Sequence, residues 1–200
     1  AMQVYRGTRP ASGAEHYFSH LWELAHLGAD QDPPLSHGHK VAIGTLAMSA
    51  FYERFLARDL TSLDIDAAVA AWAPWEEVEA DIRARFQGAL ADHAVAETHV
   101  KYVDAAGLRE RLGTFVGRWA GLRPRLEKQL APARTLQQML RDAGAPAAPE
   151  DIGLTAADVK ATFPQAMYYR SRYTVLDLAR EAGWFEGLVD EVFAPGGLWS

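Results

Sequence analysis

The sequence predicts an all-α fold, in which residues 1–200 form one helical domain. Apolar residues recur at three- and four-residue spacing through most of the chain, as on the buried face of a helix. Pairs of Ser or Thr with an acidic residue three positions later, which cap helices, precede several of these segments. Neither a strand–helix alternation nor a glycine-rich phosphate loop occurs. With 49% hydrophobic residues, the chain can form one domain with a substantial core.

The first predicted helix begins at a capping box. Ser12 takes the N-cap position and Glu15 the N3 position, so the helix is predicted from Gly13 to about Leu27. Gly28 is its predicted C-terminal stop, because glycine readily adopts the left-handed conformation that ends many helices.

A loop over residues 28–36 leads to the second predicted helix, from about His37 to Arg58, with Ser36 as its cap. Small residues along this helix, Gly44 among them, would let another helix approach closely. Because the helix is mostly apolar, we expect it at the centre of the bundle.

The later segments are also predicted to be helical, with one exception. Residues 91–104 are ambiguous, because Thr98, Val100 and Tyr102 alternate like a short strand. Pro164 is predicted to interrupt a helix that Thr155 and Asp158 cap. The other predicted helices are 61–72 with Thr61 and Asp64 as a capping pair, 75–90, 105–120, 122–130, 132–142, 174–182 and 185–193.

The composition excludes several classes of function. The net charge is −6 and no basic stripe occurs, so a nucleic-acid partner is not expected. The chain has no cysteine, which excludes disulfides, iron–sulfur clusters and thiolate zinc sites, and favours a cytoplasmic protein. The longest apolar run, Val41 to Phe51, has about 11 residues, whereas a membrane span needs about 20.

Histidines near the start of the chain predict a divalent metal site. His16 and His20 are four residues apart, so they share one helix face, and a helical hairpin would bring His37 towards His16. Three imidazoles would suit zinc, whereas two with a carboxylate would suit zinc, iron or nickel. Glu15 is better explained as a capping residue, and Glu23 lies to one side of the His16–His20 line. The competing interpretation is that these are ordinary surface or core histidines.

Three arginines are candidates for binding an anionic substrate group. Arg9 lies just ahead of the first helix, seven residues before His16, and its planar guanidinium suits an anion. Arg170 and Arg172 would suit the same role. For all three, the alternative is an ordinary surface arginine.

Four segments together resemble a known family. The chain is similar to the C-terminal helical half of the sn-glycerol-1-phosphate dehydrogenases, within the superfamily of iron-containing alcohol dehydrogenases and dehydroquinate synthases. The resemblance implies the all-α bundle of the C-terminal domain of that fold. The segments are Arg9-Pro-Ala-Ser-Gly-Ala-Glu-His16, Ser36-His-Gly-His-Lys-Val-Ala-Ile-Gly44, residues 143–153 and Arg172-Tyr-Thr-Val-Leu-Asp-Leu178.

The resemblance implies a role for each residue that matches the family pattern. His16 and His37 resemble the two metal-binding histidines, and His20 resembles the histidine beside the substrate, where it would serve catalysis by relaying a proton. Arg9 falls where the dehydroquinate branch has a substrate-binding arginine. His39 stands where many members have glutamate. The implied cofactors are a divalent metal, with zinc favoured over iron or nickel, and NAD(P).

The resemblance also implies that NAD(P) binds to an N-terminal nucleotide-binding domain, which this chain does not include. No residue here is therefore predicted to contact NAD(P), and the chain alone is predicted not to turn over dihydroxyacetone phosphate. We expect a homo-oligomer or a separate N-terminal half as partner, covering an apolar face near the histidines. The alternatives are a dehydroquinate-synthase-like reaction, another iron-type alcohol oxidation, or a non-catalytic helical interaction module.

Overall fold

A computed structural model describes residues 13–199, and every regular element in that range is helical. This confirms the predicted all-α fold. Two short 3₁₀ turns, Leu60–Ser62 and Pro149–Ile152, accompany the α-helices. The α-helices are α1 Ala14–Leu24, α2 His37–Leu56, α3 Ile65–Ala70, α4 Trp75–Arg85, α5 Gly88–Lys101, α6 Ala105–Gln129, α7 Ala133–Asp142, α8 Ala156–Tyr168, α9 Val175–Glu181 and α10 Phe185–Phe193.

The predicted start of α1 was wrong by one residue, and its end by three. Gly13 is the N-cap, and its backbone N–H donates to the Glu15 side chain at 2.9 Å. Ser12, the predicted cap, lies outside the described residues. The helix ends at Leu24 because the chain turns at His26 and Gly28, whose φ values are 58° and 66°.

Helix α2 begins where the sequence predicts. The hydroxyl of Ser36 accepts a hydrogen bond from the His39 backbone N–H at 3.1 Å and so caps the helix. At Gly44 the helix touches α1 so closely that an added Cβ would lie 2.5 Å from the Glu15 carbonyl oxygen. The predicted close approach of a second helix at this glycine is therefore confirmed.

Residues 91–101 lie in α5, and residues 102–104 connect it to α6, so this segment is not a strand. The strand-like alternation is incidental, because Thr98 is buried whereas Val100 is 75% exposed on a helix surface. Helix α4 ends at Arg85, five residues earlier than predicted, and Gly88 with φ 55° begins α5.

Two prolines lie inside helices that the sequence predicts to be broken. Pro124 lies within the continuous α6, and Pro164 lies within α8. A proline removes one backbone hydrogen bond. In α6 the carbonyl that loses its donor belongs to the exposed residue Ala120, where it is accessible to solvent.

The predicted capping pair of Thr61 and Asp64 was wrong. Thr61 lies in a 3₁₀ turn, where its backbone N–H donates to Asp59 at 3.0 Å. Asp64 is itself the N-cap of α3, because its side chain accepts from the Ala67 backbone N–H at 2.9 Å.

The core holds the α1–α2 hairpin against α8. Phe18 of α1 packs edge-on against Phe163 of α8, with ring centroids 4.9 Å apart, and Phe51 of α2 contacts the same ring at 5.6 Å. All three phenylalanines are fully buried. The indole N–H of Trp22 donates to the Thr162 hydroxyl at 3.0 Å, which gives this buried polar group a partner.

Side chains of α5 satisfy the carbonyl groups at the end of α8. The Thr98 hydroxyl donates to the Tyr168 carbonyl at 3.1 Å, and the Lys101 ammonium donates to the Met167 carbonyl at 2.5 Å. Lys101 also pairs with Asp177 of α9 at 2.6 Å, and both side chains are less than a tenth exposed. These contacts fix the segment that joins α8 to α9.

No helix within residues 13–199 combines the length and the apolar character that a membrane crossing requires.

Replacing Gly44 with alanine is expected to lower the free energy of unfolding by about 1–3 kcal/mol, because the new methyl group would push α1 away from α2. Gly113→Ala is the matched control: an added Cβ there meets no atom within 4 Å, and alanine should raise helix stability by about 0.5–1 kcal/mol. Urea denaturation followed by circular dichroism measures both changes. Equal stability of the two variants would contradict the close approach.

Replacing Lys101 with methionine is expected to lower the free energy of unfolding by about 3–5 kcal/mol, because it leaves the Asp177 carboxylate buried without its partner. Lys160→Met is the control, since its ion pair with Asp190 has side chains 43% and 70% exposed and should contribute less than about 1 kcal/mol. Similar losses in the two variants, measured by urea denaturation, would show that burial of the Lys101–Asp177 pair is unimportant.

Candidate functional site

The α1–α2 hairpin brings three predicted site residues together. His16 and His20 lie one turn apart on α1, and His37 is the first residue of α2. The ring centroid of His37 lies 5.5 Å from that of His16 and 5.6 Å from that of His20, while His16 and His20 are 6.2 Å apart. Three imidazoles from two helices therefore face one another at one end of the hairpin.

Glutamates hold the three rings in orientation. Glu23 accepts hydrogen bonds from Nδ1 of His37 at 2.7 Å and from Nδ1 of His20 at 3.2 Å, and Glu15 accepts from Nδ1 of His16 at 3.0 Å. Because a carboxylate only accepts, each Nδ1 is the donor, which leaves Nε2 as the atom that a neutral imidazole would offer to a metal ion. From the sequence, Glu23 lies to one side of the His16–His20 line and was not expected to take part. In the structure α2 begins beside it, so Glu23 contacts both His20 and His37.

Glu23 remains a carboxylate at this position. Partial burial raises the pKa of Glu23, but the hydrogen bonds from His37 and His20 outweigh that cost and place the pKa below its ordinary value. The negative charge of Glu23 is therefore maintained beside two imidazoles.

The donor set fits a divalent ion in its chemistry. Two imidazoles bound through Nε2 to one tetrahedral ion, at about 2.0–2.1 Å, have ring centroids about 5 Å apart. The separations from His37 are close to that value. Metal-binding histidines usually donate their other ring N–H to a carboxylate, as all three do here. Across residues 13–199, however, no three His, Cys, Asp or Glu side chains already surround a point at coordination distance, so metal binding stays a prediction.

The histidine site opens to solvent on one side. The side chains of His16, His20 and His37 are 22%, 37% and 46% exposed. Leu24, which is 51% exposed, is the only large exposed hydrophobic residue of α1 and α2, and the apolar face expected near the histidines stays a prediction. Arg9, the predicted substrate contact, lies outside the described residues.

A second group of residues lies beside His20, and sequence reasoning found only part of it. The buried ring of Tyr169 lies 6.3 Å from His20 and 5.8 Å from His93, measured between centroids. The guanidinium carbon of Arg170 lies 4.5 Å from the centroid of the same ring. Arg170 was a sequence candidate, but His93 and Tyr169 were not, because nothing local indicates that α5 and the end of α8 meet α1 here.

Comparison with known proteins gives a consistent result. No protein-family model and no solved structure matches the chain. Curated relatives named glycerol-1-phosphate dehydrogenase [NAD(P)+] do match. The relative from Halalkalibacterium halodurans is 47% identical over 53 residues, which are 26% of this chain and 13% of that protein. The relative from Methanococcus maripaludis is 36% identical over 52 residues, 26% of this chain and 16% of that protein.

A longer match extends the similarity to nearly the whole chain. The glycerol-1-phosphate dehydrogenase of Geobacillus stearothermophilus is 26% identical over 182 residues, which are 90% of this chain and 35% of that protein. The matched residues thus make up 35% or less of the length of each of these three relatives. Together the matches confirm the resemblance of this chain to the glycerol-1-phosphate dehydrogenase family that its sequence motifs indicate.

Proposed function

We propose that this chain is the metal- and substrate-binding part of an NAD(P)-dependent enzyme that interconverts dihydroxyacetone phosphate and sn-glycerol 1-phosphate. The observation that carries the proposal is the meeting of His16, His20 and His37 at one end of the α1–α2 hairpin. The names of the curated relatives favour this reaction over a dehydroquinate-synthase-like cyclisation.

In this proposal His16 and His37 hold a divalent ion through their Nε2 atoms, with zinc favoured over iron or nickel. A bound ion supplies Lewis-acid polarisation of the substrate carbonyl oxygen. Glu15 and Glu23 orient the rings and increase their basicity through the Nδ1 hydrogen bonds. The remaining ligand and the nicotinamide are expected from an N-terminal domain of the complete enzyme.

His20 is the proposed proton donor and acceptor. When a hydride that NAD(P)H would supply reduces the carbonyl carbon, Nε2 of His20 would donate the proton that the substrate oxygen takes up. Glu23 accepts from Nδ1 of His20 and so stabilises the protonated imidazolium before the transfer. In the oxidation direction His20 accepts the proton from the alcohol. Arg9 stays a predicted contact for the substrate, and the cytoplasmic location and a partner subunit stay predictions too.

Metal binding tests the histidine assignment directly. Isothermal titration of the metal-free chain with Zn²⁺ should show one site per chain. Glu23→Gln should weaken Zn²⁺ binding by about 10–100-fold, which is typical when a metal ligand loses its hydrogen-bond partner. His16→Ala and His37→Ala remove a ligand itself, so each should weaken Zn²⁺ binding by more than that.

His39→Ala is the matched control for the zinc titration, because His39 is exposed and only two residues from His37. We expect this variant to bind Zn²⁺ like the wild-type chain. A wild-type chain that binds no Zn²⁺, or an equal loss in His39→Ala and His37→Ala, would contradict the assignment.

Turnover tests the proposed reaction. The 200-residue chain alone is expected to show no NAD(P)H-dependent reduction of dihydroxyacetone phosphate, because the hydride donor is expected to bind an N-terminal domain. Supplying the nucleotide-binding part of a glycerol-1-phosphate dehydrogenase, fused or as a separate chain, should produce activity that follows NAD(P)H absorbance. His20→Ala in that assembly should lower kcat by about 10²–10⁴-fold.

Two results would contradict the turnover predictions. Reduction of dihydroxyacetone phosphate by the chain alone would overturn the expected dependence on a second domain. Cyclisation of the dehydroquinate synthase substrate by the assembly, without reduction of dihydroxyacetone phosphate, would overturn the proposed reaction.

A further inference from the structure

Tyr169 contacts both the histidine site and a guanidinium group. The residue is only 7% exposed, and its ring lies beside His20 and His93. Arg170 stacks on this ring, and one of its terminal nitrogens also donates to the Tyr169 hydroxyl at 3.3 Å. A cation stacked on an aromatic ring is held in place and keeps N–H groups for another partner.

The backbone that carries Arg170 is fixed on both sides. Before it, Thr98 bonds the Tyr168 carbonyl at 3.1 Å. After it, Glu97 accepts a hydrogen bond from the Ser171 backbone N–H at 2.7 Å. Two neighbouring side chains of α5 therefore position this short segment, so the guanidinium is held by the fold and not only by its own flexible side chain.

The guanidinium of Arg170 is not neutralised by an ion pair within the described residues. No carboxylate oxygen between residues 13 and 199 lies within 4 Å of it, although Glu97 is near enough to be influenced by its charge. The Arg170 guanidinium contacts the Tyr169 ring, which lies 6.3 Å from the His20 ring of α1, so a positive charge is held close to the histidine site.

We propose that Arg170 binds the anionic group of the substrate, a phosphate monoester whose carbonyl end lies at His20. This inference rests on the proposed function. The Tyr169 ring centroid lies 4.5 Å from the guanidinium carbon of Arg170 and 6.3 Å from the His20 ring centroid. The distance from that carbon to the His20 ring therefore cannot exceed the sum of the two. A three-carbon phosphate ester spans about 5 Å from carbonyl oxygen to phosphorus, and charged hydrogen bonds of about 2.8 Å at each end bridge the remaining distance.

Anion binding to the metal-free chain tests this inference without any turnover. Isothermal titration with sn-glycerol 1-phosphate should show saturable binding, inorganic phosphate should compete, and uncharged glycerol should not bind. Arg170→Gln should raise the Kd for sn-glycerol 1-phosphate at least about tenfold. Arg170→Lys should retain part of the affinity, because it keeps the charge but loses the planar pair of donors.

Arg118→Gln is the control, because Arg118 is an exposed arginine of α6 and its loss changes the net charge equally. Equal loss in Arg118→Gln and Arg170→Gln, equal affinity of wild type and Arg170→Gln, or no binding by the wild-type chain would each overturn the inference. Binding of lactate through Arg170 as tight as that of the phosphate ester would overturn the phosphate assignment.

A measurement on the wild-type chain covers the case in which Arg170→Gln does not fold. Phenylglyoxal modifies accessible arginines, and sn-glycerol 1-phosphate should protect Arg170 but not Arg118 in peptide mass mapping. Modification of Arg170 at the same rate with and without the ester would overturn the inference.

Zinc titration of the same proteins separates this inference from the proposed function. Normal Zn²⁺ binding together with phosphate-ester binding that does not depend on Arg170 would overturn only the anion site. Phosphate-ester binding at Arg170 in a wild-type chain that binds no Zn²⁺ would support the anion site and overturn the proposed metal enzyme.

Discussion

The contact between α1 and α2 at Gly44 is the constraint on which the site depends. The Glu15 carbonyl lies where any side chain at this position would have to go. His16 follows Glu15 directly, and His37 begins the helix that carries Gly44 two turns later. The separation of the two helix axes therefore sets the separation of the His16 and His37 rings. A packing feature of the core thus determines whether two imidazoles from different helices can share one partner.

The same hairpin is held against the rest of the bundle by α8, which links the histidines to the residues around Tyr169. Phe163 packs on both helices of the hairpin, and Thr162 accepts from the buried Trp22 indole. Helix α8 then ends at Tyr168, directly before Tyr169 and Arg170. The rigid helix places its last turn beside His20, so the core and the two halves of the candidate site are positioned by one element.

Local chemistry made much of this architecture predictable. Ser36 caps α2, and Thr155 and Asp158 form the capping box of α8, because these side chains act on neighbouring backbone N–H groups that a sequence reveals. Pro164 misled the prediction, since a proline costs one hydrogen bond but the packing of Phe163 and Thr162 maintains the helix around it. The alternation over residues 91–104 misled it in the same way, because burial of Thr98 against α8 decides the conformation. The His16–His37 pair was accessible from motif and spacing, whereas Tyr169 and His93 depend on contacts between distant segments.

The charges of the site are divided in a way that suits a metal and an anion together. Glu15 and Glu23 place negative charge behind the three imidazoles, which would favour a cation in front of them. Arg170 places positive charge against the ring of Tyr169, and its guanidinium forms no ion pair with Glu15 or Glu23, which contact the histidines instead. If the glutamates and the arginine were adjacent, they would pair with each other and neither would remain for a ligand. A substrate with a polarisable carbonyl at one end and a phosphate at the other would match both regions at once.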